Sequence, residues 1–135
     1  MNWQQIEELR TKGTWIGSHT RNHVDLMKST TTIKNDEIIE SLEDLKNNLS
    51  DYINKDIIFS YPYGAYNQDV IQIVKEAGYI GAVANYQGNI RPKTDPWQIP
   101  RFSVYSNSDW KSISRQSHSL FFKELIKDIR DLLLG

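Results

Sequence analysis

Cysteine is absent from this 135-residue chain. That absence excludes a disulfide framework, a thiolate nucleophile and a zinc site built on cysteine. Long hydrophobic runs are lacking too, because no stretch approaches the roughly 20 apolar residues that a membrane span needs. The N-terminus reads MNWQQIEELRTKG, which is amphipathic and has no apolar signal-peptide core. We therefore expect neither a membrane span nor an export signal within this chain.

An excess of charge of either sign is also absent. The chain has 16 Lys and Arg against 17 Asp and Glu, for a formal net charge of −1. This balance gives no electrostatic case for nucleic acid or an anionic membrane as a partner. The length, with 39% hydrophobic residues, is typical of one globular domain with its own core. We predict a single domain over residues 1–135.

Helical and strand patterns alternate along the chain. The predicted helices cover residues 2–12, 34–53, 67–77 and 119–134. The predicted strands are TWIGS at 14–18, DIIFSYP at 56–62, YIGAVA at 79–84 and QIPRFSV at 98–104. Alternation of this kind predicts an α/β fold, with a parallel sheet covered by helices.

Two of the predicted helices carry clear local signals. The second has an apolar stripe at helical spacing, made of Ile38, Ile39, Leu42, Leu45, Leu49 and Tyr52. Acidic residues near its start favour the helix because they interact with the positive end of the helix dipole. Asn67 is placed to cap the third helix and Gly78 to end it.

The stretch GSHTRNHVDL, residues 17–26, places His19 and His23 four residues apart directly after the first predicted strand. On a helical turn, residues four apart have Cβ atoms about 5–6 Å from each other. Two imidazoles so placed can both reach one ion at about 2.0–2.1 Å. The alternative is that both are polar loop residues without a ligand. Asp25 either caps the following turn or accepts a proton from a ligand imidazole.

A second motif, FSYPYGAYN at residues 59–67, ends a strand at Pro62 and turns through Gly64 into a helix. Catalytic loops of parallel α/β folds lie at the carboxyl ends of strands. A turn into a helix N-terminus also exposes backbone N–H groups, which can stabilise an oxyanion. The alternative is a tight turn with packed tyrosines and no chemical role.

Taken together, GSHTRNH, FSYPYGAYN and the later IVKEAGYIGAV resemble the polysaccharide deacetylase family, the NodB-homology domain or carbohydrate esterase family 4. The resemblance runs from about Trp3 to Val104. Ser60 stands where many members have arginine, and this YPYG variant is similar to the branch that acts on poly-N-acetylglucosamine. The resemblance implies a partial distorted (β/α) barrel of parallel strands alternating with helices.

The resemblance also implies metal-assisted hydrolysis of an amide or ester. His19 and His23 would then be ligands of Zn2+, or of another divalent metal such as Co2+ or Ni2+. The backbone N–H of Tyr63 would face the tetrahedral intermediate, and Tyr61, Pro62 and Tyr63 would bind substrate. In such a reaction the ion polarises the acetyl carbonyl and acidifies the attacking water. A carboxylate acts as base, and a histidine acts as acid toward the leaving amine.

One motif of the family is missing from the sequence. Members carry an Asp-Asp pair at the end of the first strand, which supplies the catalytic base and the third metal ligand. The pair should lie well upstream of His19, where this chain has only Glu7 and Glu8, both on the first predicted helix. We therefore expect the C-terminal, truncated part of a deacetylase domain. Its barrel edge at TWIGS would be uncovered and prone to self-association.

Four residues are weaker candidates. His118, the third histidine, either acts as the acid or is a solvent-exposed polar residue, because SRQSHSLFF reads as the approach to a helix rather than a strand end. Arg101 either orients a carboxylate in place of the missing arginine or serves as a structural ion-pair residue. Trp97 and Trp110 either stack on sugar rings or pack in the core.

The leading hypothesis is a metal-dependent hydrolase that deacetylates the acetamido groups of N-acetylglucosamine polymers, with weak or no activity in this short chain alone. Its partner would be an N-acetylated polysaccharide, and the parent protein would work outside the cell or at the cell envelope. One alternative is a non-catalytic carbohydrate-binding or interaction module on the same scaffold. Another is an acetyl-xylan esterase of the same family.

Overall fold

The computed structural model describes residues 1–49, 56–86, 88 and 90–101. Its elements are helices α1 (Trp3–Thr11), α2 (Thr31–Asn48) and α3 (Gln68–Glu76), strands β1 (Ile58–Ser60) and β2 (Gly81–Val83), and a 3-10 turn at Pro62–Gly64. These elements follow one another in the predicted order, but the predicted strand at 14–18 and the described part of the one at 98–104 each form only a single bridge. The predicted C-terminal helix lies outside the described residues.

The sheet is parallel, as predicted. β1 pairs in parallel with β2, with Phe59 opposite Ala82. Two further parallel bridges extend the sheet, one from Ser18 to Phe59 and one from Val83 to Ile99. The predicted strand TWIGS is thus reduced to one bridge at its last residue. The carboxyl ends of all these segments lie on the same edge of the sheet, and His19 and the Pro62–Gly64 turn follow two of them directly.

Local capping sets where the helices begin. The side chain of Asn2 accepts a hydrogen bond from the backbone N–H of Gln5, and the Gln5 side chain accepts one in return, which forms a capping box for α1. Asn67 caps α3 through the N–H of Val70 at 3.0 Å, so that prediction is confirmed. α2 begins earlier than predicted, at Thr31, because the side chain of Thr30 caps it.

The core lies between the helices and one face of the sheet. It contains the buried side chains Leu26, Ile38, Leu42, Leu45, Leu49, Ile57, Phe59, Tyr61, Val70, Ile71, Val74, Tyr79, Ala82 and Ala84. The predicted stripe of α2 was wrong at Ile39, which is 41% exposed. Ile39 follows Ile38 by one residue, so it is rotated by about 100° out of the buried face. Tyr52 lies outside the described residues.

Within the described residues, no helix is both long and apolar enough to cross a membrane.

Candidate metal centre

His19 is held at the end of a strand segment by backbone and side-chain contacts. The N–H of Ser18 donates to the carbonyl of Ile58 at 3.0 Å, and the N–H of Ser60 donates to the carbonyl of Ser18 at 2.8 Å. Beyond this ladder, Nδ1 of His19 lies 2.6 Å from the carbonyl oxygen of Ser60. A carbonyl oxygen only accepts, so we assign the hydrogen to Nδ1. The lone pair of a neutral ring is then on Nε2, available to a ligand.

His23 reaches its position through a loop rather than a helical turn. The backbone has positive φ angles at Thr20 (63°) and His23 (56°), a conformation that costs a residue other than glycine about 1–3 kcal/mol. The ring centroids of His19 and His23 lie 4.8 Å apart, in an edge-on arrangement with an interplanar angle of 72°. The structure therefore brings the two predicted ligands together, by a different local conformation from the one that the spacing implied.

The two imidazoles fit one metal ion as two of its ligands. Rings bound through nitrogen at about 2.0–2.1 Å to one tetrahedral ion have centroids roughly 5 Å apart, which matches the observed separation. The Nδ1 contact of His19 to a backbone carbonyl is the kind of support that orients metal-binding histidines. Within the described residues, no group of three His, Cys, Asp or Glu side chains could hold an ion. A hydrolytic zinc site normally has three protein ligands, and the described part offers two candidates for such a set.

The Pro62–Gly64 turn lies beside the histidine pair. The rings of His23 and Tyr63 have centroids 4.8 Å apart, and the Tyr63 side chain is 65% exposed. Tyr63 has a φ of 58°, and its backbone N–H has no hydrogen-bond acceptor within the described residues. Gly64 follows with a φ of 67°, and a Cβ added there would lie 2.5 Å from the Cβ of Asn85. The turn therefore needs glycine at 64, and the residue whose ring contacts His23 has a backbone N–H without an acceptor in the described part of the chain.

Two predicted substrate-binding residues occupy the core instead. Tyr61 is 0% exposed, and its hydroxyl donates to the carbonyl of Trp97 at 3.0 Å. Burial raises the pKa of Tyr61 well above its ordinary value. Pro62 is also fully buried. The predicted substrate contact does not fit the side chains of Tyr61 and Pro62, because the strand that precedes the turn directs them away from solvent.

Trp97 and Arg101 are placed differently from each other. Trp97 is half-buried against the core, and Nζ of Lys75 lies 5.3 Å from its ring centroid. Nε of Arg101 donates to the carbonyl of Ala84 at 3.0 Å, and within the described residues Arg101 forms no ion pair. The structural ion pair that was one alternative for Arg101 is thus not observed there. His118 and Trp110 lie outside the described residues.

A cavity of about 430 Å³ adjoins His19 on the other face of the sheet from the core. Its lining includes Trp15, Ile58, Ser60 and Arg101. The hydroxyl oxygen of Ser60 is buried and has no hydrogen-bond partner within the described residues. An unpaired buried hydroxyl is uncommon, because burying it without a partner costs free energy. Arg101 therefore shares a cavity with His19, and Ser60 presents an unpaired oxygen in the same lining.

Asp25 serves as a cap rather than as a partner of an imidazole. Its Oδ1 accepts from the backbone N–H of Met27 at 3.0 Å, and its Oδ2 pairs with Nζ of Lys28 at 2.9 Å. The hydrogen bond from Lys28 lowers the pKa of Asp25. The acceptor that supports His19 is instead the carbonyl of Ser60, which the sequence does not reveal.

Sequence reasoning also missed Glu37. This residue on α2 is only 8% exposed, and its carboxylate accepts hydrogen bonds from the loop between the two histidines. A signal was present, because Glu37 and Ser41 are polar residues four apart next to the apolar stripe. Their position predicts a buried polar face of α2, which has to meet donors from elsewhere in the chain.

Comparison with known proteins places this site in a family. The sequence model of the polysaccharide deacetylase family matches residues 1–82, more than half of the chain. A comparison with curated protein sequences gave no significant match. Among solved structures, the Streptococcus pyogenes deacetylase PplD in complex with acetate is 22% identical, with a TM-score of 0.77. The alignment covers 86% of this chain and 50% of that one.

Two other solved structures are similar to this chain over a comparable share of its length. A polysaccharide deacetylase from Bacillus cereus is 21% identical with a TM-score of 0.72, over 86% of this chain and 36% of that one. IcaB from Ammonifex degensii is 20% identical with a TM-score of 0.66, over 85% of this chain and 52% of that one. This chain thus spans about half or less of the length of these structures, and the parallel strands and helices form part of their distorted barrel. From its sequence match and its fold, the chain belongs to the polysaccharide deacetylase family.

Proposed function

We propose that this chain is the histidine-bearing part of a metal-dependent deacetylase that hydrolyses acetamido groups of N-acetylglucosamine polymers. The observation that carries the proposal is the meeting of His19, His23 and Tyr63 at one edge of the sheet. Each of the two ring-to-ring distances, His19 to His23 and His23 to Tyr63, is 4.8 Å. An ion site therefore adjoins an unpaired backbone N–H group, the combination that acyl hydrolysis needs.

His19 through Nε2 and His23 through its ring would hold Zn2+, or Co2+ or Ni2+ in its place. When bound, such an ion polarises the acetyl carbonyl and lowers the pKa of an attacking water. The residues of this chain supply the surroundings. The Ser60 carbonyl fixes the tautomer of His19. The Tyr63 N–H donates to the oxygen on which negative charge develops.

Substrate contacts are proposed for the two exposed groups of the site. The Tyr63 ring, 65% exposed, offers a flat apolar surface on which a sugar ring can stack. Arg101, which shares the cavity with His19, offers guanidinium donors to a carboxylate or to a substrate oxygen. Trp97 is partly buried against the core, so at most one edge of its ring is available to a substrate.

The described residues supply neither the third metal ligand nor a carboxylate base. We therefore propose that residues 1–135 form one truncated domain, and that the chain alone has weak or no activity. The share of the related structures that it covers, 50% for PplD and 52% for IcaB, supports this proposal. The parent protein would act outside the cell or at its envelope, where such polymers occur.

The deciding experiment measures zinc uptake by the whole chain with titration calorimetry, and acetate release from N-acetylglucosamine oligomers. We expect one Zn2+ per chain, bound weakly because the described residues supply only two protein ligands. His19→Ala and His23→Ala should each abolish uptake, whereas His118→Ala is the matched control with another histidine removed. Equal uptake by His19→Ala and by the wild-type chain would refute the site.

A second function is favoured by the two-ligand site and the exposed Tyr63. A non-catalytic carbohydrate-binding module on this scaffold would bind the polymer in the presence of a chelator and after both histidine substitutions. The deacetylase proposal expects polymer binding to weaken under either treatment. Acetate release from acetylated xylan, but not from the acetamido substrate, would instead favour the esterase alternative.

We also propose self-association through the strand segment 14–18. Its support is the exposure of Trp15, 49%, next to Ser18, which is bridged to β1 on one side. An exposed indole at the edge of a sheet offers apolar surface to a second copy of the chain. Light scattering that finds a monomer at all concentrations would contradict this proposal.

A further inference from the structure

Glu37 on α2 contacts the loop that joins the two histidines. Its Oε2 accepts from the backbone N–H of Arg21 at 2.9 Å and from that of Asn22 at 2.8 Å. Its Oε1 accepts from Nδ2 of Asn22 at 2.6 Å. One side chain thus receives three hydrogen bonds from two consecutive loop residues. Both of these residues lie between His19 and His23 in sequence.

The burial of Glu37 makes these contacts strong and specific. The residue is 8% exposed, and a buried carboxylate without donors is strongly unfavourable. The loop between the histidines in turn depends on contacts with other parts of the chain to hold its shape. Thr20 and His23 both have positive φ angles, so the loop does not hold its shape through regular backbone bonds. The carboxylate therefore fixes the middle of a strained loop whose two ends carry the imidazoles.

A second contact ties the same helix to the strand before the loop. Oγ of Ser18 donates to Oγ of Ser41 at 2.8 Å, and Ser41 lies one turn after Glu37 on α2. The Arg21 side chain points elsewhere, toward Glu40 and toward Asp44 at 2.9 Å on the exposed side. The buried face of α2 thus holds the backbone of the loop. The exposed face of α2 contacts the Arg21 side chain and not the loop backbone.

We propose that Glu37 is a positioning residue for the histidine pair. By fixing residues 20–23 before any ion arrives, it holds the two imidazoles at the separation that one ion requires. The proposal rests on the proposed function, because it takes His19 and His23 as metal ligands. It adds a residue that does not touch the ion and acts only through the loop.

The test compares Glu37→Gln with Glu40→Gln, the same substitution three residues along the same helix. The first substitution removes the negative charge of Glu37 and puts an amide against Asn22, so the Asn22 amide has to turn over to accept from it and the contacts lose their charge assistance. The second removes only an exposed ion pair with the Arg21 side chain. A double variant, Glu37→Gln with Asn22→Asp, reverses one hydrogen bond and restores all three contacts, with the new amide donating to the new carboxylate.

Two readouts are measured on the whole chain: the dissociation constant of Zn2+ and the hydrogen-exchange rates of the Arg21 and Asn22 amides without metal. Glu37→Gln should weaken zinc binding by about tenfold or more, the effect typical of groups that support metal ligands. The two amides should exchange about tenfold faster as the loop opens more often. Glu40→Gln should change both by less than about twofold. The double variant should recover most of both losses.

Unchanged zinc affinity and unchanged exchange in folded Glu37→Gln would overturn the inference while leaving the metal site intact. If the wild-type chain itself takes up no zinc, the proposed function fails, and the exchange rates alone decide whether Glu37 orders the loop. Should Glu37→Gln not fold, Asn22→Ala decides, because it removes one of the three contacts from the loop side. Zinc affinity equal to the wild type in Asn22→Ala would then overturn the inference.

Discussion

Nδ1 of His19 lies 2.6 Å from the carbonyl oxygen of Ser60, although the two residues are 41 positions apart in sequence. Since the carbonyl accepts only, the contact determines which nitrogen of His19 faces the metal position. It also ties the histidine to the strand that leads into the Pro62–Gly64 turn. One hydrogen bond therefore sets the relation between the two motifs of the site.

The first prediction concerns the tautomer of His19. In the metal-free protein, the neutral His19 ring should carry its hydrogen on Nδ1, because that nitrogen has the carbonyl partner. Nitrogen-15 NMR of the imidazoles distinguishes the two tautomers, and added Zn2+ should then shift the Nε2 resonance. Finding the hydrogen on Nε2 would contradict the orientation of the ring.

The second prediction compares two serine-to-alanine substitutions with opposite outcomes. Ser60→Ala removes a buried hydroxyl without a partner, so stability should be unchanged or rise by up to about 1 kcal/mol. Ser41→Ala removes buried hydrogen bonds with Ser18, Tyr79 and the Ile38 carbonyl, which should cost about 1–3 kcal/mol. Urea unfolding of both variants gives the comparison. A loss at Ser60 as large as that at Ser41 would mean that the Ser60 hydroxyl is paired in solution.

The third prediction concerns the glycine of the Pro62–Gly64 turn. Gly64 and Gly78 both have positive φ angles, so alanine at either position should cost about 1–2 kcal/mol from the backbone alone. Only at Gly64 would the new Cβ meet another atom, 2.5 Å away at Asn85, which should add about 1–3 kcal/mol. In thermal unfolding, the melting temperature of Gly64→Ala should therefore lie well below that of Gly78→Ala. Equal melting temperatures would show that the turn can shift without cost.

The fourth prediction is a loss of stability at alkaline pH. Burial raises the pKa of Tyr61 and Tyr79 above the ordinary value of 10.0. The folded state therefore holds these protons more tightly than the unfolded state does. The resulting contribution to stability is complete below pH 10 and is lost as the pH rises above that value. Ultraviolet absorbance of tyrosinate should rise together with unfolding measured by circular dichroism. Ionisation of every tyrosine in a chain that stays folded would contradict this.

Much of the secondary structure was predictable from the sequence because its signals are local. Asn67 caps α3 because its side chain reaches the N–H of Val70 only three residues away. The periodic apolar residues of α2 identify a helix whatever packs against it. The failure at Ile39 has a physical cause: the width of a buried face depends on its packing partner, which the pattern does not contain.

The candidate site likewise has features that the sequence predicts and features that depend on packing. The sequence contains a strand, the pair His19 and His23, a second strand and the Pro-Tyr-Gly turn in that order. This order was enough to predict the family, whereas the metal-binding role of the two histidines stays a prediction. The burial of Tyr61, by contrast, was not predicted from the sequence, which gave this residue a substrate contact. Its place in the core depends on α3 and on Trp97, which lie beyond it in the chain.

What the sequence determined by itself is therefore the set of chemical groups and the short segments that carry them, since capping, periodicity and residue spacing act over a few positions. What only the tertiary structure decided is which distant groups support them. The Ser60 carbonyl reaches His19, and the Glu37 carboxylate reaches Arg21 and Asn22, only after the sheet and α2 have packed together. Hydrogen bonds need separations of about 3 Å, and folding alone brings residues so far apart in the chain to that distance.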